Sequence, residues 1–155
     1  MSTPRSSSPP LRSPEQLRGD PAVKVTVGTE LPGFTTTFTR ADLVRYAGAS
    51  TDFNPIHWSD TKASELGLPG VLAHGMLTMG TALRVVTDWV GDPGRVRSYY
   101  VRFTKPVVVD EIAGGEVTFS GVVTAVADGV ATITLEAVHA ETKVLGAATV
   151  EVLVD

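Results

Sequence analysis

The sequence predicts a single α+β domain in which an antiparallel β-sheet wraps around one long helix. Residues 75–90 have helical spacing with apolar side chains on nearly all of the helix circumference, so this helix should be buried on most sides. Almost everything after residue 94 alternates between apolar and polar residues in the manner of β-strands. A sheet can bury such a helix only by curling around it, and these two observations together therefore predict the fold.

Length, charge and cysteine content narrow the class of protein. The chain has 155 residues, 43% of them apolar, which suffices for one good core but hardly for two. Its formal net charge of -4 gives no general attraction to nucleic acid or to anionic membranes, so neither partner is expected. The absence of cysteine excludes disulfides and thiolate metal sites and suits a reducing, cytoplasmic location. We see neither a signal-peptide core nor a run of about eighteen apolar residues, so neither secretion nor membrane spanning is expected.

The first 20 residues are rich in proline and serine. Such a composition buries too little apolar surface to offset the entropy of ordering, so we predict a disordered tail over residues 1–20. The folded domain is then expected to cover residues 21–155. Within it, residues 23–27 alternate like a strand, and residues 34–38 form a second strand after a Pro-Gly turn.

Two short helices are predicted before the long one. A capping box that begins at Thr39 opens a helix through Ala47, which Gly48 can terminate. Ser59 is a suitable N-cap for a second helix over residues 60–66.

The long helix is expected over residues 75–90, and Gly91 begins the turn that stops it. Strands are predicted after it at residues 97–104, 115–127, 130–140 and 144–154. The pair Asp128-Gly129 between two alternating runs is a strong signal for a two-residue hairpin.

The segment from Asp52 to His57 contains groups suited to acid/base chemistry. Pro55 keeps Asn54 out of helical angles, so Asp52 and His57 lie on either side of a non-helical turn that can bring both to one pocket wall. A carboxylate and an imidazole can move one proton on and another off near neutral pH. The same spacing also fits an Asx-turn with a purely structural role, so the segment alone leaves both interpretations open.

The entry to the long helix, His74-Gly75-Met76, is a second candidate for function. The first N–H groups of a helix lack intrahelical partners, and glycine lets a carbonyl group approach the backbone closely. Gly75 therefore fits an oxyanion site, with His74 and Met76 as candidate substrate-binding residues. The structural alternative is a glycine that relieves a tight turn beside a partly buried histidine.

Basic side chains cluster on the strand near residues 101–107. Arg97, Arg102 and Lys105 fit the binding of phosphopantetheine phosphates or of an acidic carrier protein. The solvated face of a strand explains them as well. Pro106 indicates that the strand ends there or lies at an edge of the sheet.

In their order and spacing, these three motifs resemble the MaoC-like family of (R)-specific enoyl-thioester hydratases and dehydratases. The resemblance rests on residues 52–57, 74–77 and 101–107 and covers residues 22–154. Within the family, the chain looks most like the catalytic B-type subunit of the actinobacterial (3R)-hydroxyacyl-carrier-protein dehydratase.

The resemblance implies the hot-dog fold, in which an antiparallel sheet wraps one long helix. It also implies reversible dehydration of (3R)-hydroxyacyl thioesters to trans-2-enoyl thioesters, in fatty-acid elongation or degradation. Asp52 and His57 would then be the acid/base pair, Asn54 would orient their loop, and the Gly75 N–H would polarise the thioester carbonyl. No metal or other cofactor is expected, since CoA or an acyl-carrier phosphopantetheine belongs to the substrate.

The chain departs from the family pattern at two places. Some members have a small polar residue in the middle of the long helix, where residues 82–85 are apolar apart from Arg84. Acyl-chain length is therefore not carried over. The N-terminal tail has no counterpart in the family pattern, and we assign it no function.

Two other functions are compatible with a hot-dog domain. A thioesterase of this fold typically uses a lone carboxylate on or near the central helix, and residues 75–87 contain neither Asp nor Glu. A non-catalytic partner subunit would be expected to lack the Asp/His pair. Because one such domain leaves sheet edges and apolar faces uncovered, we expect a homodimer or a heterodimer with a related hot-dog subunit.

Overall fold

The computed structural model describes residues 25–154 of the chain. Its helices are α1 (Arg40–Ser50), α2 (Asp60–Glu65) and α3 (Gly75–Val90). Its strands are β1 (Glu30–Phe38), β2 (Val96–Phe103), β3 (Gly115–Ala127), β4 (Val130–His139), β5 (Thr142–Lys143) and β6 (Leu145–Leu153). The tail predicted for residues 1–20 lies outside the described residues. Among residues 25–154, no helix has both the length and the apolar character that crossing a membrane requires.

The strands form one antiparallel sheet in the order β1-β3-β4-β6-β2, with β5 paired to β4 beside this path. α3 contacts all five strands of the path, so the sheet wraps the helix and the predicted hot-dog fold is confirmed. The predicted hairpin between β3 and β4 is also confirmed. Asp128 and Gly129 have φ angles of 51° and 73°, the left-handed values that such a turn requires.

The core lies between α3 and the concave face of the sheet. The buried face of the helix consists of Thr78, Ala82, Val85 and Val86. The alternating inward side chains of β3 and β4 that belong to the same core include Val117, Phe119, Val123, Ala131, Ile133 and Leu135. Exposed positions on α3 form one stripe, made of Met76, Gly80, Arg84 and Asp88. The other positions are at least partly covered, which confirms that the helix is buried on most sides.

α1 ends at Ser50, two residues after Gly48, so the predicted stop at Gly48 is wrong. The capping box at Thr39 is present, as predicted, and closes through the Asp42 side chain. At the other end, the Ser50 hydroxyl donates to the Tyr46 carbonyl at 2.7 Å and accepts from the Asp52 N–H at 3.3 Å. These bonds, together with a left-handed Thr51 (φ 61°), turn the chain after residue 50.

Residues 25–27 are not part of a strand, contrary to the prediction for residues 23–27. The Thr29 N–H donates to the Thr26 carbonyl at 3.1 Å, and Gly28 has a φ of 88°, so the chain turns before β1 begins. Residues 23 and 24 lie outside the described part of the chain. The last predicted strand, residues 144–154, corresponds to β6 at residues 145–153. Residues 142–143, which were not predicted as a strand, pair with β4 as β5.

We expect Gly121→Ala to lower the free energy of unfolding by about 1–3 kcal/mol, because it overpacks the contact between helix and sheet. A Cβ atom on Gly121 would lie 2.9 Å from Leu135 Cδ2 and 3.1 Å from Val85 Cγ1. Urea unfolding followed by circular dichroism measures the change. Gly80→Ala is the matched control, since its Cβ would meet no atom within 4 Å and alanine favours a helix. Equal losses in the two variants would contradict the explanation.

Candidate active site

The loop between α1 and α2 is shaped by its own side chains. Asp52 Oδ1 accepts a hydrogen bond from the Asn54 N–H at 3.2 Å, and Asn54 Oδ1 accepts one from the Ile56 N–H at 3.3 Å. Pro55, which has no N–H to satisfy, begins a short 3-10 turn that ends at His57. The turn brings Asp52 and His57, the two residues predicted as an acid/base pair, to the same wall.

Asp52 and His57 face each other across a short gap. His57 Nε2 lies 3.8 Å from Asp52 Oδ2, which is longer than a hydrogen bond. His57 Nδ1 lies 2.7 Å from the Leu72 carbonyl oxygen, so in the neutral ring Nδ1 carries the hydrogen and Nε2 keeps its lone pair. His57 is 8% exposed, whereas the Asp52 side chain is 52% exposed. The gap therefore lies between two groups that can each accept a proton.

The N-terminus of α3 supplies hydrogen-bond donors at this site. Gly75 is the first residue of the helix, and His74, its N-cap, makes no capping bond with its side chain. The Thr78 N–H reaches back to the His74 carbonyl at 3.2 Å, so the N–H groups before it have no partner within the helix. A Cβ atom on Gly75 would come within 3.2 Å of the Phe103 ring. With glycine at position 75, the space between the helix backbone and the Phe103 ring stays open, so a ligand carbonyl can approach the backbone.

A cavity of about 230 Å³ opens beside His57 and Gly75. Its polar side chains come from His57, Thr78, Thr104 and Lys105. Its apolar wall consists of Leu72, Ala73, Phe103, Pro106, Val107, Val144 and Leu145. A mostly apolar wall with a few polar groups at one place suits a ligand that has an apolar chain and a reactive polar end.

The predicted substrate-binding residues are not all brought together. Lys105 lines the cavity, and Met76 is exposed on α3 next to Gly75. Arg102 is exposed on β2 and is not part of the cavity wall. Arg97 lines a different cavity, beside the β3–β4 hairpin.

His74 lies beneath the loop between α1 and α2, residues 51–59, and is only 1% exposed. Its ring stacks on that of His57, with centroids 3.8 Å apart and an interplanar angle of 21°. Tyr46 meets the His74 ring edge-on at 4.9 Å. Burial lowers the pKa of His74, although its hydrogen bond to Asp52 opposes the shift. The neutral ring has its Nε2 atom 3.1 Å from the Asp52 carbonyl oxygen, to which it donates.

Asp52, His57 and His74 each have a potential metal ligand within 4.8 Å of the others. A shared ion requires the lone pairs to converge on one point. Stacked rings instead direct their lone pairs into nearly parallel planes. His74 Nε2 is bonded to the Asp52 carbonyl, and the other ring nitrogen, Nδ1, is buried. The geometry suits proton transfer better than metal binding.

Phe103 and Thr78 are cavity residues that the sequence analysis did not single out. Phe103 stands in the strand that was considered only for its charges, and its ring lies against Gly75. Thr78 is buried, and its hydroxyl donates to the His74 carbonyl at 3.4 Å. The sequence feature that could have pointed to Thr78 is its position three residues after Gly75, which places the two residues on the same side of the helix.

Arg40 connects the two helices on either side of the loop that contains Asp52 and His57. It is the first residue of α1, and its guanidinium donates to both carboxylate oxygens of Asp60, the first residue of α2, at 2.8 and 2.9 Å. Its Nε–H also donates to the Val109 carbonyl at 2.6 Å. The N-termini of α1 and α2 are therefore held together, which fixes the span of the loop between them.

Comparison with known proteins identifies relatives of this chain. A family model described as MaoC like domain matches residues 20–145. The 3-hydroxyacyl-thioester dehydratase X of Mycobacterium tuberculosis is 41% identical over 76 residues, or 49% of this chain. Among solved structures, a MaoC-like dehydratase has a TM-score of 0.84 and 36% identity, covering 99% of this chain and 48% of that one. The (R)-hydratase from A. caviae involved in PHA biosynthesis has a TM-score of 0.72 and 25% identity, covering 86% of this chain and 98% of that one.

Some of the curated relatives are much longer than this chain. It spans 26% of dehydratase X, and 4% and 3% of two fatty acid synthase beta subunits that it also matches. The similarity to those proteins is therefore a similarity to one part of each.

We expect Asp60→Asn to destabilise the fold at neutral pH and to have less effect in acid. Hydrogen bonding from Arg40 lowers the pKa of Asp60, so the ion pair stabilises the fold above the ordinary carboxyl pKa of about 4. This stabilisation is lost as the pH falls through the lowered pKa. Urea midpoints of both proteins at pH 7 and pH 3 test it, with Asp88→Asn, from an exposed pair with Arg84, as control. A difference that stays constant with pH would contradict it.

Proposed function

Because the chain belongs to the MaoC-like dehydratase family, as the motifs predict, we propose that it catalyses the reversible dehydration of (3R)-hydroxyacyl thioesters to trans-2-enoyl thioesters. The proposal depends chiefly on one observation. Asp52 and His57 face each other across 3.8 Å, next to the first turn of α3, whose N–H groups have no partner within the helix. The proposed reaction belongs to fatty-acid elongation or degradation.

Dehydration removes a proton from C2 of the acyl chain and expels the C3 hydroxyl as water. In the proposed mechanism, one member of the pair accepts the C2 proton while the other protonates the leaving hydroxyl, and hydration reverses both transfers. The bond from His57 Nδ1 to the Leu72 carbonyl fixes the tautomer and leaves Nε2 for proton exchange. Asp52 has one oxygen bonded to the Asn54 N–H and turns the other toward His57. Asn54 thereby orients the carboxylate.

Negative charge develops on the thioester oxygen when C2 loses its proton. We place this oxygen at the first turn of α3, where the Gly75 N–H and a helix-end partial charge of roughly +0.5 would stabilise it. The thioester itself makes the C2 proton acidic, so no step of the mechanism uses a metal ion or another cofactor. CoA or an acyl-carrier phosphopantetheine arrives as part of the substrate.

Lys105 is the candidate contact for the phosphate groups of that carrier. It is the one predicted basic residue among those that line the cavity. Phe103, Val107 and Leu145 form the apolar wall that would face the acyl chain. The substrate would thus have its charged arm near Lys105 and its reactive carbon atoms near His57.

We also propose that a second hot-dog chain, identical or related, pairs with this one through an edge of the sheet. β1 and β2 are the edge strands, and β2 carries Tyr100, which is 63% exposed. Unpaired strand edges and exposed apolar side chains favour association between chains.

Light scattering on the purified protein, alone or with its related subunit, should give the mass of a dimer. Tyr100→Lys should weaken association, because it places a charge on the proposed contact. Val44→Lys is the matched control, since Val44 is 59% exposed on α1, away from β2. A monomer under all these conditions would refute the pairing.

Asp52→Asn and His57→Ala should each lower the hydration rate of a trans-2-enoyl thioester by about 100- to 10,000-fold, the range typical of general acid/base groups. Loss of the enoyl absorbance at a fixed pH measures the rate. Circular dichroism should show an unchanged fold, because Asp52 is half exposed and the His57 ring is not part of the apolar core.

Asp128→Asn and His139→Ala are matched controls that should keep full activity, since neither residue lines the cavity. Asparagine also tolerates the left-handed conformation of residue 128. If the wild-type protein leaves the enoyl absorbance unchanged but releases free thiol, a thioesterase replaces the proposed hydratase. That outcome is not expected, because a thioesterase of this fold typically has a carboxylate on or near the central helix, and residues 75–87 contain neither Asp nor Glu.

A further inference from the structure

We infer that His74 is a positioning residue, whose buried ring holds the Asp52 backbone and the His57 ring in register with the first turn of α3. The inference rests on the proposed function of the Asp52–His57 pair. It gives His74 a role different from substrate binding, because His74 does not line the cavity.

His74 contacts all three parts of the site. Its Nε2–H donates to the Asp52 carbonyl at 3.1 Å, and its ring lies against the His57 ring at 3.8 Å. Its own carbonyl accepts the Thr78 N–H at 3.2 Å, in the first turn of α3. One residue therefore connects the Asp52 backbone, the His57 imidazole and the helix end.

The placement of the Asp52 carboxylate depends on its backbone. Asp52 Oδ1 accepts the Asn54 N–H at 3.2 Å, a bond within the same loop, whereas the ion pair with His57, at 3.8 Å, is too long to fix the side chain relative to the rest of the site. The Asp52 N–H is instead held by the Ser50 hydroxyl at 3.3 Å, and the Asp52 carbonyl is held by His74. Removing the His74 donor would release one of these two anchors.

Packing alone does not explain a histidine at position 74. Its Nδ1 atom is buried and has no hydrogen-bond partner among the described residues, which is unfavourable for stability. An apolar side chain of similar size would avoid that penalty. Burial also keeps the ring neutral, so that its single N–H group is directed at the Asp52 carbonyl.

His74→Leu and His74→Gln separate positioning from packing. Leucine fills the space without a donor, whereas the glutamine amide can place an N–H where His74 Nε2 lies. With a trans-2-enoyl-CoA, His74→Leu should lower kcat by about 10- to 100-fold, the effect of misplacing a catalytic group by about 1 Å. KM should stay near the wild-type value and the melting temperature should not fall. His74→Gln should recover part of kcat, and His139→Leu, the control, should change neither constant.

A double-mutant cycle tests whether His74 acts through Asp52. In the Asp52→Asn background, His74→Leu should cause a much smaller further loss than it does in the wild type, because the misplaced group is already inactive. Losses that multiply in full would overturn the inference. A wild-type kcat in His74→Leu, or a lower melting temperature without a change in kcat, would also overturn it.

Amide hydrogen exchange keeps this inference separate from the proposed function. Residues 52–57 should exchange faster in His74→Leu than in the wild type or in His74→Gln, whether or not the protein hydrates the thioester. If the wild type is inactive, the proposed function fails and the exchange result still decides the role of His74. Unchanged exchange in His74→Leu would overturn the inference.

Discussion

Burial of α3 against the concave face of the sheet is the constraint on which the rest of the structure depends. Val85 and Val86 are fully buried at the helix–sheet contact, and Gly121 on β3 lets the helix come close. A helix held along its length cannot shift its first turn independently of the core. The N–H of Gly75, which has no partner within the helix, therefore has a position determined by packing and not by the loops around it. Preorganised donors of this kind need no rearrangement when charge develops.

The short segment before α3 ties the loop that contains Asp52 and His57 to the start of the helix. The Leu72 N–H donates to the Ile56 carbonyl at 3.0 Å, and the Leu72 carbonyl accepts a hydrogen bond from His57 Nδ1 at 2.7 Å. Ala73 donates to the Val107 carbonyl at 2.9 Å, on the cavity wall. The segment is thus bonded to the loop on one side and to the cavity wall on the other. Loop, helix end and cavity form one hydrogen-bonded unit, so the geometry of the site follows from the fold.

Features with a local signal could be predicted from the sequence, and those that depend on long-range contacts could not. The bounds of α3 were predictable, since Gly91 takes a left-handed angle after the last helical residue. The proximity of Asp52 and His57 was predictable because Pro55 restricts a short turn. The sequence could not show which basic residue lines the cavity, because the register of β2 shifts between Tyr100 and Arg102 and breaks the simple alternation of faces. The contact of His74 with Asp52 joins residues 22 positions apart and arises only in the folded chain.

The unequal exposure of Asp52 and His57 affects how fast a proton on each group exchanges with solvent. Asp52 is half open to solvent, so a proton that reaches it exchanges with bulk water before the next substrate arrives. His57 is 8% exposed and lines the cavity, so a bound substrate would separate its ring from bulk water for as long as the substrate stays bound. A hydrogen held by His57 would therefore exchange with solvent more slowly, while substrate is bound, than one held by Asp52. In heavy water, the deuterium content at C2 of the recovered substrate and product would record which of the two groups had handled the hydrogen bound to carbon.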